Sequence, residues 1–231
     1  MADSETKIEP EIKPSVFSPA LSNDALNNVF QSVEQGGAAF FSFYNAILSD
    51  AGLKEVDGIK SLTSQKFYTT AGARSNFLDV EAVFNTGAIV QIEFQMRRCG
   101  HMSDRIFTYG ATTLLRHVKP GGKERNPYRD MPNVTVVSIL NFKTPPKVKE
   151  YHLVGGCLYK SKTYGRWFNK LAIHNILLPV FKTTELDVNN PLHLWLTALT
   201  AVKDDTTPMK MIVEANPVLK SYYERGELPL H

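Results

Sequence analysis

At 231 residues the chain is long enough for one substantial domain and too short for two of ordinary size. Its 43 % apolar and 21 % charged residues are ordinary for a folded soluble protein, which excludes wholesale disorder and fibrous repeats. A net charge of +3 permits a nucleic-acid partner without demanding one.

Residues 1–19 carry Pro10, Pro14 and Pro19 and few large apolar groups, too little buried surface to offset the entropy of ordering. They are expected to form a flexible arm ahead of a single domain over residues 20–231. The arm lacks the apolar centre of a secretory signal, and no later stretch reaches the roughly 18 apolar residues of a membrane span. Cys99 and Cys157 fit neither zinc-ligand spacing nor a disulfide framework, so the expected setting is reducing and cytoplasmic, without a membrane partner.

From Asn23 onward Leu26, Val29, Phe30 and Val33 recur at helical spacing, and a second helical run takes Phe40, Tyr44, Ile47 and Leu48. Gly36-Gly37 is expected to separate two helices. Strand-like runs at 77–84 and 88–96 flank Asn85-Thr86-Gly87, a turn suited to a short hairpin loop. Residues 101–118 read as a helix stopped by Pro120-Gly121-Gly122, and a basic irregular loop follows as far as Pro132. Val134 to Phe142, rich in β-branched residues, reads as a buried strand, with further strands at 151–159 and 171–181 and a late helix at 191–203. The pattern predicts an α/β fold with a mixed central sheet flanked by helices.

The hairpin carries the chemistry. Phe77, Asp79, Glu81 and Val83 share one face of the first strand, and Ile89, Gln91, Glu93 and Gln95 share one face of the second; the opposite faces are apolar throughout. A three-residue loop pairs Phe84 with Ala88 and so sets Asp79 opposite Glu93. Directly opposed carboxylates repel unless something neutralises them, and a divalent cation does so with the oxygen ligands that magnesium and manganese prefer. The plain alternative is that Asp79 and Glu81 solvate an exposed sheet face. The six histidines are scattered without ligand spacing, and no phosphate-cradling glycine loop occurs.

Asp79 followed by Glu93-Phe94-Gln95 resembles the D…ExQ variant of the PD-(D/E)xK nuclease site, in which Gln takes the usual Lys position. The surrounding residues are similar to its transposase-associated, recombination-promoting branch. Leu78-Asp79-Val80-Glu81-Ala82 resembles that branch's LDVxA strand, Ile92-Glu93-Phe94-Gln95 its IExQ strand, and Tyr44-Asn45-Ala46-Ile47-Leu48 its LNAIL helix end. Arg105 and Tyr109 match an RxxxY helix, and Tyr128 to Phe142 and Leu194 to Leu199 resemble a later strand and a Trp-containing helix.

The resemblance spans roughly residues 23–220 and implies a restriction-endonuclease-like PD-(D/E)xK core. It implies a magnesium- or manganese-dependent DNA endonuclease linked to recombination or mobile elements, with Asp79 and Glu93 as metal ligands and Gln95 completing the catalytic set. Arg105 and Tyr109 would bind phosphate beside the hairpin, and Arg97, Arg98 and Arg116 belong to a basic cluster that would line a DNA track. Pairing of two subunits to cut both strands is an open arrangement. The sequence departs from the branch where its IELxKF strand becomes Ile176-Leu177-Leu178-Pro179-Val180-Phe181: the expected Glu is Leu177. The second reading is therefore a member that has lost catalysis and serves as a nucleic-acid-binding or protein-interaction module.

Overall fold

The computed structural model describes residues 30, 33–68, 76–98, 100–118, 131–143, 147–156, 159–161, 165–168, 170–200 and 206–225, without side-chain detail at 33–36, 64–68, 76–79, 159–161, 165–168 and 206–208. The N-terminal arm, most of the basic loop before Pro132, and both cysteines lie outside the described residues.

Helix α1 (Val33–Asp50) leads into a hairpin-rich half: β1 (Ile59–Tyr68), β2 (Asn76–Phe84) and β3 (Ile89–Gln95). Helix α2 (Met102–His117) then crosses over to β4 (Val134–Leu140). The second half contains β5 (His152–Gly156), the short β6 (Tyr159–Ser161) and β7 (Gly165–Phe168), and β8 (Leu171–Leu177). Helices α3 (Leu178–Phe181), α4 (Pro191–Thr200), α5 (Thr206–Ala215) and α6 (Pro217–Glu224) follow. The six-stranded sheet runs β1-β2-β3-β4-β8-β5, and β6 pairs with β7 alone. Strands β3, β4 and β8 are parallel and central, while β1, β2 and β5 are antiparallel to their neighbours. The mixed α/β sheet expected from the sequence is present.

Period-two alternation sends side chains to two covered faces. On one, Val80, Ala82, Val90, Ile92, Phe94, Val137 and Ile139 pack under α1 and α4, where Phe40, Phe43, Ile47 and Trp195 are fully buried. Trp195 also donates its indole N–H to Ser42 Oγ at 3.1 Å, tying α4 to α1. On the other, Ile89, Val134, Val136, Leu140, Leu171 and Leu177 pack under α2 through Met102 and Ile106. Gly110 lets α2 settle close, since a Cβ there would collide with the Leu171 side chain and meet Val136 Cγ2 at 3.2 Å.

Two expectations are corrected, and one strand was not expected. Gly36 and Gly37 lie inside the continuous α1 rather than between two helices; helix burial against the sheet outweighs the ~1 kcal/mol that each glycine costs. The strand expected to run through residue 181 ends at Leu177, and residues 178–181 turn into α3 with a proline in its first turn, a position where the missing N–H costs nothing. The unexpected strand is β1. Its IKSLTSQKFY run is polar, as suits a sheet edge that must resist further pairing.

Candidate functional site

The hairpin folds as its turn requires. Phe84 N–H donates to Ala88 O at 2.9 Å and Gly87 N–H to Phe84 O at 2.9 Å, closing a three-residue loop in which Gly87 takes the left-handed φ of 82°. Strands β2 and β3 pair in the register Val80↔Ile92, Glu81↔Gln91, Ala82↔Val90 and Val83↔Ile89. The next position along both strands holds Asp79 and Glu93. Asp79 is within β2, but its side chain lies outside the described residues.

At Glu81, Gln91 and Glu93 the polar face of the hairpin is not solvated. Helix α2 covers it, leaving Glu81 3 % exposed, Gln91 0 % and Glu93 5 %. Burying a carboxylate is costly unless it is paired and hydrogen-bonded, and α2 supplies a guanidinium to each of these two. Near the helix start, Arg105 Nη2 lies 3.2 Å from Glu93 Oε1, and Arg105 Nη1 donates to Gln95 Oε1 at 3.5 Å. Its Nε donates to the Tyr109 hydroxyl at 3.0 Å. Gln95 also gives its amide N–H to the Arg97 carbonyl at 2.8 Å, which orients its oxygen toward Arg105. Tyr109, one turn after Arg105, is itself buried, so this aromatic belongs both to the core and to the site.

Three turns along α2, Arg116 Nη2 sits 3.4 Å from Glu81 Oε2. Gln91 donates to the same oxygen at 3.0 Å and also contacts Thr113, to which Arg116 donates at 2.8 Å. Glu93, Gln95, Arg105 and Tyr109 thus form one cluster, and Arg116 belongs to a second beside Glu81. Arg97 and Arg98 are exposed just past the end of β3. In register with Glu93 lies Ser138 on β4, and beside that Asn175 on β8. The Oγ of Ser138 and Oδ1 of Asn175 are buried without a hydrogen-bond partner among the described residues. Leu177, where the resemblance leads one to expect Glu, is fully buried in the apolar cluster under α2.

A further network, on the α1 side of the sheet, is invisible to sequence spacing. The Asp187 N–H donates to His193 Nδ1 at 3.0 Å, which fixes the His193 proton on Nε2, 3.1 Å from the Tyr151 hydroxyl oxygen. Tyr151 in turn donates to Asp50 Oδ1, and Asn190 Nδ2 donates there at 2.7 Å. His152 Nδ1 lies 2.6 Å from Asp50 Oδ2, and its Nε2 lies 2.9 Å from His174 Nδ1. Burial works to raise the Asp50 pKa, but the donors His152, Tyr151 and Asn190 outweigh it and hold the carboxyl down at about 2. Burial, aided by the neighbouring His152, lowers His174 to about 4. Burial and the Asp50 charge raise Tyr151.

His152 spends both ring nitrogens within this chain, so the residues form a line and do not converge on one ion. Among the described residues no group of three or more His, Cys, Asp or Glu is placed to hold a metal. No helix among them is long and apolar enough to cross a membrane.

A family profile described as PD-(D/E)XK nuclease family transposase matches residues 25–227, most of the chain. No curated protein and no solved structure matches it.

Proposed function

The chain belongs to the PD-(D/E)XK nuclease family of transposases, and from that membership we propose that it is a metal-dependent DNA endonuclease acting at the β2–β3 hairpin. The observation that carries the reading is the hairpin register. It leads from Val80↔Ile92 to the next position along each strand, Asp79 and Glu93, and it is at Glu93 that Gln95, Arg105 and Tyr109 converge. Such chemistry fits a role in recombination or in mobile elements, with DNA as substrate.

The donor set suits a hard cation. Glu93 and Asp79 offer carboxylate oxygens, and magnesium or manganese completes such a partial set with water. Asp79 and Glu93 would hold the ion. When bound, it supplies Lewis-acid charge against the phosphodiester and a water acidic enough to attack it. Gln95, whose amide is oriented by the Arg97 carbonyl, positions that water but carries no charge. The charge that a lysine would bring falls to Arg105, whose planar fork suits phosphate oxygens. The exposed Arg97 and Arg98 extend positive charge from the end of β3 along the backbone of the substrate.

Supercoiled plasmid incubated with magnesium, with chelator, and with the Asp79→Ala and Glu93→Ala variants tests the reading. Nicking that needs magnesium and is lost in both variants is the expected result, and nicking that survives both substitutions removes the site. One observation favours a second reading, a binding module without catalysis: Leu177 fills apolar core where the family's third acid is expected. Plasmid binding with no nicking under magnesium or manganese is its signature.

A further inference from the structure

Glu93 already has a cation. Its carboxylate is 5 % exposed, and Arg105 lies 3.2 Å from it, against Gln95 on one side and the Tyr109 hydroxyl on the other. We infer that Arg105 is a built-in counter-ion that occupies the metal side of Glu93 until a divalent ion displaces it, and that the displaced guanidinium then becomes the phosphate-binding group. The inference rests on the reading of Asp79 and Glu93 as metal ligands.

The physical grounds are three. A buried carboxylate keeps its charge only beside a counter-charge, and in this structure Arg105 provides it. A divalent ion on the same carboxylate would stand a few ångströms from the guanidinium, and in a poorly screened site two such cations exclude each other. Arg105 also stands nearest to solvent: its side chain is 41 % exposed, whereas Glu93 and Tyr109 are buried, which leaves room for the guanidinium to move outward while its hydroxyl partner stays fixed. Once off Glu93, the arginine needs another anion, and a phosphodiester provides one in bidentate geometry. Metal entry and DNA binding are then coupled, each favouring the other by the same factor.

The test is manganese binding to the full chain without DNA, followed by electron paramagnetic resonance, for wild type, Glu93→Gln, Arg105→Gln and Tyr109→Phe. Removing the competitor should tighten binding in Arg105→Gln by about tenfold, the scale of one displaced partly buried ion pair. Tyr109→Phe, which keeps the core aromatic and removes the hydroxyl that anchors Arg105, should tighten it by about threefold. Circular dichroism reports folding, and Tyr109→Phe carries the test if Arg105→Gln does not fold. Loss of binding in Glu93→Gln, together with equal or weaker binding in the Arg105 and Tyr109 variants, overturns the inference and leaves the metal site standing. Wild-type binding in Glu93→Gln overturns both.

Discussion

Lowering the pH should weaken this protein over a window set by one buried histidine. His174 is 1 % exposed, and burial lowers it from 6.5 to about 4. It faces His152 from β5, with Asp50 from α1 and Tyr151 and His193 beyond. The unfolded chain takes up a proton at this residue below pH 6.5, and the folded chain does so only near pH 4. The stabilisation is therefore complete above pH 6.5 and is lost as pH falls toward 4. A gap of roughly 2.5 units at 1.36 kcal/mol each gives about 3 kcal/mol. Asp50, lowered from 3.8 to about 2, acts only below this window. Urea unfolding of wild type and His174→Asn at pH 7.5 and 4.5, followed by tryptophan fluorescence, measures the difference. Wild type should lose about 2 to 3 kcal/mol more than the variant, whose asparagine cannot be protonated. Equal losses would refute the assignment of a neutral, buried His174.

Two further substitutions probe the face beneath α2. Arg116→Met takes the guanidinium away from the buried Glu81 carboxylate and should cost about 2 to 3 kcal/mol by denaturant unfolding; pairing it with Glu81→Met should recover much of that loss. Leu177→Glu introduces the acid that the sequence resemblance leads one to expect, but it places a carboxylate in an apolar cluster. Thermal unfolding at pH 7 should show a loss of about 3 kcal/mol or more, easing as the pH falls and the carboxyl is protonated.

The hairpin was legible because its information is local. Asn85-Thr86-Gly87 sets the loop length, the loop sets the register, and alternation assigns the faces, so the neighbouring positions of Asp79 and Glu93 follow by counting. What covers those faces was not legible. Glu81 reads as a solvated acid on an amphipathic strand, and only the packing of α2 shows it buried against Arg116. The histidines fail for the same reason: His152 and His174 meet because β5 and β8 pair, and His193 joins them through Tyr151 and Asp50. Strand β1 went unseen because an edge strand is selected for polarity, which weakens the very alternation by which strands are recognised. In α1, glycine punctuation was overridden by burial of Phe40, Phe43 and Ile47.

The central claim is that Asp79 and Glu93 act as one unit, and the most direct measurement is single-turnover DNA cleavage by Asp79→Asn, Glu93→Asn and the double variant. Residues that share one ion cannot be lost twice, so each single variant should fall by about a thousandfold or more and the double should be little worse than either. Losses that multiply in the double variant, or a single variant that cleaves like wild type, would contradict the claim.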